Sequence, residues 1–241
     1  MESCYTAIMI IAVVVLSYLI GSIPTSIIIA KKHGIDIRQY GSHNAGGTNV
    51  GRVIGKKEGI FTMILDILKC YLPCLIVFLL CSFCPFDFIS YPYLTELFVC
   101  LCGISVAIGH TFPLFAHFKG GKAVACFAGF VLFIIPLGAL IGLSVFLLLF
   151  AIFKKVSLSS IIGAPSVLLA SLVPMILDFT VLQDKKTFNG GTYFGPNLMI
   201  HISYLTFIAI FILVLLIVIR HYTNIKRLAA GVEPETHFKK N

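Results

Sequence analysis

The sequence predicts an all-α polytopic membrane protein with seven transmembrane helices, its N-terminus outside, its C-terminus cytoplasmic and three cytoplasmic motif loops. Hydrophobic residues make up 59% of the 241 and charged residues 12%, where soluble domains carry roughly 45–50% and about 25%. The apolar residues come in blocks of about 20, the length that crosses the ~30 Å hydrocarbon core of a bilayer. The placement of Lys and Arg then sets the orientation. This composition excludes an ordinary soluble domain, a disordered chain, a collagen-like repeat and a disulfide-stapled secreted fold.

The apolar runs lie near residues 7–30, 60–82, 97–115, 123–153, 158–177 and 198–219. Glu2 precedes the first, with no basic n-region and no small-residue cleavage site, so it reads as a retained helix and not a signal peptide. The fourth run holds 31 residues. As one helix it would be about 46 Å long, well beyond the core thickness. Pro136-Leu137-Gly138 interrupts it, removing a backbone donor and loosening the helix. It therefore reads as two short helices, 123–135 and 139–153, which brings the count to seven.

Charge supports that split. With seven segments and the N-terminus outside, the inner loops 31–59, 116–122, 154–157 and 220–241 hold 15 Lys and Arg. The outer segments hold only Lys185 and Lys186, beside Glu2, Asp87, Glu96, Asp178 and Asp184. Basic residues collect on the cytoplasmic side of membrane proteins, so this bias fixes the orientation and also explains the net charge of +8 without nucleic acid. No long-period repeat divides the chain. Residues 1–241 read as one membrane domain.

The eight cysteines nearly all lie in or beside apolar runs, where they act as small buried hydrophobes. Cys81 and Cys84 have C-x-x-C spacing, but Phe83, Pro85 and Phe86 surround them and no His follows at ligand distance, which disfavours zinc. In the second helix Asp66 and Lys69 are three residues apart and able to pair, which reads as a structural ion pair facing the bundle.

The polar residues gather in three inner-face segments. The first runs from Gly21-Ser-Ile-Pro24 through Asp36 and Arg38 to Gly41-Ser-His-Asn-Ala-Gly-Gly-Thr-Asn-Val-Gly-Arg52. Ser42, Asn44, Thr48 and Asn49 offer short polar side chains for a phosphate, and Arg38 and Arg52 offer guanidinium forks. An anion site opening a helix and an ordinary Gly/Asn-rich loop both fit this stretch. The second is Gly109-His110-Thr111-Phe112-Pro113, then Lys119-Gly120-Gly121-Lys122 before a new helix. Bare N–H groups, a helix dipole and two ammonium groups converge there, although the spacing is not that of a Walker A loop. A basic turn anchoring two helices fits equally well. The third is Arg220-His221-Tyr-Thr-Asn224-Ile-Lys-Arg227 with Gly231-Val-Glu233-Pro234. If the last helix continues, His221 and Asn224 share a face; Arg220 and Arg227 point to the anionic leaflet, and Glu233 caps or pairs.

Phosphate is the common denominator of these loops. No Asp/Glu cluster suits a two-metal centre, so no metal is expected, and no serine–histidine–acid pattern is recognisable. No base-stacking aromatics accompany the lysines, so nucleic acid is disfavoured. A transporter of a phosphorylated solute is the competing class. Against it, a carrier needs a midplane site reachable from both sides, whereas these residues gather on one.

G-S-I-P, G-S-H-N-A-G-G-T-N-V-G-R, L-D-I-L-K, G-H-T-F-P, F-K-G-G-K and H-x-x-N-I-K-R-L-x-x-G-x-E-P occur in one order between Gly21 and Pro234. Together they resemble the bacterial acyl-phosphate:glycerol-3-phosphate acyltransferases, the PlsY family. The resemblance implies a seven-helix inner-membrane enzyme with its active site on the cytoplasmic face. It would transfer a fatty acyl group from acyl-phosphate to the 1-hydroxyl of glycerol 3-phosphate, giving lysophosphatidic acid and phosphate, the first step of phospholipid synthesis. Its partners are those two substrates and membrane lipids, with no cofactor and neither coenzyme A nor acyl carrier protein. Residue by residue it implies catalytic roles for Ser42, Arg52, Lys122, His221 and Asn224, phosphate binding at Gly120 and Gly121 with Lys119 beside them, and a structural Glu233. This chain departs from the family pattern at three positions. His43 stands where Gly is usual, Gly47 where Ala is usual, and Ala123 where Gly follows the loop lysine.

Overall fold

A computed structural model describes residues 2–83, 92–180 and 203–239. Ten α-helices follow one another among these residues: α1 Glu2–Gly21, α2 Thr25–Lys32, α3 Gly47–Val53, α4 Lys56–Phe83, α5 Pro92–Thr111, α6 Val124–Ile134, α7 Pro136–Phe153, α8 Val156–Thr180, α9 Tyr204–Arg220 and α10 Tyr222–Ala229. Short 3-10 turns occupy Ile37–Gln39 and Leu114–Ala116. Lys185 and Lys186, two of the outer acidic residues (Asp87 and Asp184) and Cys84 lie outside the described residues.

Five stretches are long and apolar enough to cross a membrane: Cys4–Lys32, Lys56–Phe83, Leu94–Ala116, Pro136–Phe153 and Val156–Val173. The pair α9 and α10 makes a sixth if a bend of 59° between them is counted within one span. The expected break in the fourth run is present. Ile135 leaves helical geometry and Pro136 opens α7, where its missing N–H costs nothing. Helix α6 has only 11 residues, about 16 Å, half of a bilayer core. The first run is also two helices and not one, because Pro24 cannot supply the hydrogen bond that would carry α1 into α2.

The bundle is built on close helix crossings. Helix α1 lies so near α5 that a Cβ on Gly21 would stand 2.3 Å from the Val106 carbonyl oxygen, and one on Gly109 2.3 Å from that of Tyr18. In lipid, where apolar surface gives no burial advantage, such backbone approach is what holds helices together. The thiols of Cys70, Cys74, Cys100, Cys102 and Cys126 are buried in the core with Phe127, Phe130 and Leu213, as their apolar setting predicts. The Glu96 carboxylate accepts from Ser203 Oγ and, at 2.7 Å, from Thr206 Oγ1, which ties the start of α9 to α5.

A second polar cluster is sealed within the bundle. Lys69 Nζ lies 3.0 Å from Asp66 Oδ1, so the expected pair forms, and Thr25 Oγ1 donates to the same carboxylate oxygen. Lys69 also donates to the Ile23 carbonyl at 3.1 Å, across the α1–α2 break, and lies 3.0 Å from His110 Nδ1. The break frees the carbonyl and the buried ammonium takes it up, satisfying both groups.

Candidate active site

The three polar segments meet at one end of the bundle around a cleft of about 890 Å³. Ser42, Asn44, Lys119, Gly120, Lys122 and Asn224 line it, together with Arg38, Arg220 and Arg227. Arg52, Thr48, Asn49, Gly121, His221 and Glu233 are not part of that lining.

Helices α2 and α3 frame the first segment, and Asn49 shapes it. Its Oδ1 accepts from Ser42 N at 2.9 Å, while its Nδ2 donates to the carbonyls of Ile37, Tyr40 and Asn44 at 2.9–3.1 Å. With 1% exposure, Asn49 folds the loop and does not face a ligand. Arg38 is not free for phosphate either. It holds Asp36 through Nε and Nη2 and donates to the Ala116 carbonyl at 3.2 Å, which joins the first segment to the second. His43 adopts φ 57°, the left-handed region where glycine is at ease, and its Nδ1 is 3.1 Å from the Arg38 carbonyl oxygen. The departure from glycine there is thereby accommodated. Ser42 is exposed on the cleft wall, and among the described residues no base is hydrogen-bonded to its hydroxyl.

The glycine pair of the second segment is pinned to the end of α5. Gly120 N and Gly121 N donate to the carbonyls of Thr111 and His110 at 3.2 and 3.1 Å. A Cβ on Gly120 would stand 2.0 Å from the His110 carbonyl oxygen, and one on Gly121 2.2 Å from His110 Nε2. Only glycine fits between α5 and Ala45. His110 therefore belongs to the second segment by its backbone and to the Asp66–Lys69 cluster by its ring. Ala123, next after the loop lysine, has φ 60°, which accounts for the usual glycine at that position.

Lys122 points into the cleft and donates to Asn224 Oδ1 at 2.6 Å. Burial, reinforced by the charges of Arg227, Arg220 and Arg52 against the opposing Glu233, pushes its ammonium down to about 8. Asn224 Nδ2 donates to Glu233 Oε1 at 2.7 Å, and that carboxylate also accepts from Ser157 Oγ at 2.5 Å and, on Oε2, from Arg227 Nε at 2.7 Å. Against the upward push of burial, these donors keep Glu233 below the usual carboxylate range. Arg227 is thus a partner of Glu233, not an anchor to the leaflet. A carboxylate can only accept, so Glu233 fixes which end of the Asn224 amide faces Lys122.

The last helix does not run straight through the third segment. It bends by 59° at His221, which ends α9 and caps the start of α10, so the continuous helix that a shared face of His221 and Asn224 requires does not form, although both residues are buried. His221 is 2% exposed, and its Nδ1 is 2.8 Å from the Ile217 carbonyl oxygen. That oxygen can only accept, so Nδ1 carries the proton and Nε2 a lone pair. Burial and the nearby Lys122 charge push the ring down to about 4, leaving it neutral at pH 7. Arg52 is half-buried and donates to Thr236 Oγ1 at 3.2 Å. Residue 236 belongs to a tail that crosses the site's back: Thr236 N donates to the Lys154 carbonyl at 2.7 Å and Lys239 N to that of Gly51 at 3.1 Å.

Three members of this arrangement escape sequence reasoning. Ser157 and Thr236 stand in stretches with no motif, and only the fold brings them to Glu233 and Arg52. Arg220 reads in the sequence as a lipid-facing arginine, but it lines the cleft with its guanidinium 5.4 Å over the Phe112 ring.

Comparison with known proteins gives a consistent picture. The glycerol-3-phosphate acyltransferase family model matches residues 11–231. A glycerol-3-phosphate acyltransferase of Chlorobium chlorochromatii (strain CaD3) is 37% identical over 236 residues, covering 96% of this chain and 98% of that protein. Glycerol-3-phosphate acyltransferase 2 of Bacillus anthracis is 37% identical over 224 residues, covering 92% and 97%. Two crystal structures of PlsY, an integral membrane glycerol 3-phosphate acyltransferase, are similar at 31% identity. The glycerol 3-phosphate form has a TM-score of 0.74 over 95% of this chain and 96% of that one, and the lysophosphatidic acid form 0.71 over 94% of each.

Proposed function

Because the chain belongs to the glycerol-3-phosphate acyltransferase family, we propose that its cleft holds two phosphates at once, that of glycerol 3-phosphate and that of an acyl-phosphate donor. The protein is a multi-pass membrane acyltransferase that acylates glycerol 3-phosphate, with lysophosphatidic acid as product. The observation that carries the finer reading is Lys122, a cation presented beside a glycine loop in a cleft whose lining comes entirely from the polar segments and the end of α9.

In this reading Lys122 and Lys119 neutralise and orient the phosphates with the Arg52 charge nearby, while Gly120 and Gly121, whose N–H groups are taken by the Thr111 and His110 carbonyls, shape the loop that presents the two lysines. Acyl-phosphate is already activated, so catalysis consists largely of positioning and electrostatic stabilisation. The 1-hydroxyl of glycerol 3-phosphate attacks the acyl carbonyl carbon. The carbonyl-to-phosphate oxygen bond breaks, the acyl ester forms, and inorganic phosphate leaves with the hydroxyl proton ending on it or on water. Ser42 binds phosphate and forms no acyl-enzyme. Asn224 acts by aiming Lys122, since both ends of its amide are engaged. His221, neutral and buried, adds no further positive charge to those already around Lys122 and supports the bend where α9 meets α10. No coenzyme A, acyl carrier protein, cofactor or metal takes part.

Residues 1–241 form one catalytic unit in the inner membrane, with seven spans, the N-terminus outside and the cleft on the cytoplasmic side. The 15-to-2 distribution of Lys and Arg supports that orientation, and the family match over residues 11–231 supports the single unit. The seventh span would require the 11-residue α6 to act with the loop before it.

The test is phosphate release from palmitoyl phosphate by the detergent-solubilised protein, with and without glycerol 3-phosphate and with no added metal. Release that requires glycerol 3-phosphate, yields lysophosphatidic acid and collapses in Lys122→Ala is the expected result. Release without acceptor would indicate a phosphatase, and acylation from palmitoyl-coenzyme A alone would overturn the donor assignment.

A further inference from the structure

The arginines that line the cleft differ in their commitments. Arg38 is held on Asp36 and Arg227 on Glu233, so each cancels a carboxylate beside it. Among the described residues Arg220 has no such carboxylate partner. Its Nε is a buried polar atom without a hydrogen bond among the described residues, and its guanidinium rests over the Phe112 ring. Burying a charged donor without a partner is costly, whereas a ring face steadies the guanidinium and leaves its edge N–H groups available.

Its position is equally specific. Arg220 closes α9 and Phe112 follows the last residue of α5, so both stand where apolar helices end. Ile219, 60% exposed, lines the cleft beside Arg220 and continues the apolar helix surface into it. A molecule with a long apolar tail and a charged head would enter here, its tail along the helices and its head at the guanidinium. Lys122 lies within the polar segments, on the glycine-loop side. We propose that Arg220 is the residue that binds the phosphate of the acyl donor at the membrane-facing edge of the cleft, while Lys122 and the glycine loop serve the site beyond it.

This assignment rests on acyl-phosphate being the donor. Two dianionic phosphates then occupy one cleft, and once the Arg38 and Arg227 pairs are set aside, the lining cations are Lys119, Lys122 and Arg220. A guanidinium suits the terminal phosphate of an acyl-phosphate because its planar fork meets two oxygens together.

The experiment measures KM for palmitoyl phosphate and for glycerol 3-phosphate separately in wild type, Arg220→Gln, Arg220→Lys and Phe112→Leu. Loss of a charged hydrogen-bond donor predicts about a tenfold or greater rise in the palmitoyl phosphate KM in Arg220→Gln. The glycerol 3-phosphate KM stays within about twofold, Arg220→Lys recovers part of the loss, and Phe112→Leu shows a smaller rise in the same parameter. If the wild type turns palmitoyl phosphate over but Arg220→Gln raises the glycerol 3-phosphate KM instead, leaves both unchanged, or weakens both alike with no recovery in Arg220→Lys, the assignment fails and the donor reading stands. If the wild type releases no phosphate from palmitoyl phosphate yet acylates glycerol 3-phosphate from a thioester, the donor reading fails and takes the assignment with it.

Discussion

Lys122 and Asn224, separated by 102 positions, are joined by a 2.6 Å hydrogen bond from ammonium to amide oxygen. Glu233 holds the other end of that amide, and Ser157 and Arg227 hold Glu233. The aim of the cleft lysine is therefore set by a chain of groups, two of which, Glu233 and Ser157, stand outside the cleft lining.

That chain predicts graded losses. Removing a hydrogen bond to a charged group costs about 1.5–3 kcal/mol, so Asn224→Ala should lower kcat/KM by roughly 10- to 150-fold. Glu233→Ala leaves the Asn224 amide and the Ser157 hydroxyl without their acceptor and should also lower the unfolding temperature in detergent. An Asn224→Ala enzyme of wild-type efficiency would disprove the aiming role.

The depressed Lys122 ammonium predicts a pH dependence. Its charged form is lost as pH rises through about 8, so kcat/KM should fall above that pH. Stability moves oppositely. Between about 8 and the ordinary value of 10.5 the unfolded chain keeps a proton that the folded protein has released, so this group favours folding as pH rises. His221, pushed to about 4, should contribute no acid limb near neutrality. A pH–rate profile of kcat/KM, paired with Lys122→Arg, which should move the alkaline limb upward, checks both statements.

The buried Asp66–Lys69 pair should be expensive to break from one side. Asp66→Leu leaves the Lys69 ammonium sealed without its counter-charge, a loss of about 3–5 kcal/mol. The double variant Asp66→Leu/Lys69→Met should melt above the single one, because no lone charge remains. Thermal unfolding of the three proteins in one detergent decides it.

Gly121→Ala should disable the enzyme, since its Cβ would stand 2.2 Å from His110 Nε2 and 2.9 Å from the Ala45 carbonyl oxygen. A displacement of about 1 Å in a substrate-positioning loop costs on the order of 100-fold in rate.

Ala123→Gly should do the reverse for the fold. Ala123 sits at φ 60°, and relieving a left-handed alanine gains about 1 kcal/mol. The unfolding temperature should rise with activity preserved.

The sequence by itself determined that this is a helical membrane protein, where the fourth apolar run breaks, that Asp66 and Lys69 pair, and which three polar segments stand apart from the apolar runs and come to line the cleft. Those follow from local rules: apolar length, proline, helical spacing and the placement of charge act over tens of residues at most. Helix crossings alone decided the partnerships. Asn49 and Arg38 read as phosphate-binding residues in the sequence, yet Asn49 fastens its own loop and Arg38 fastens Asp36 and the next segment. Arg227 joins Glu233, and Arg220 stacks on Phe112. The bend at His221 was equally out of reach, because whether an apolar helix continues into a polar segment depends on what receives its freed carbonyls. A side chain's commitment depends on which group the fold sets within about 3 Å of it, and residues far apart in the chain supply those groups here.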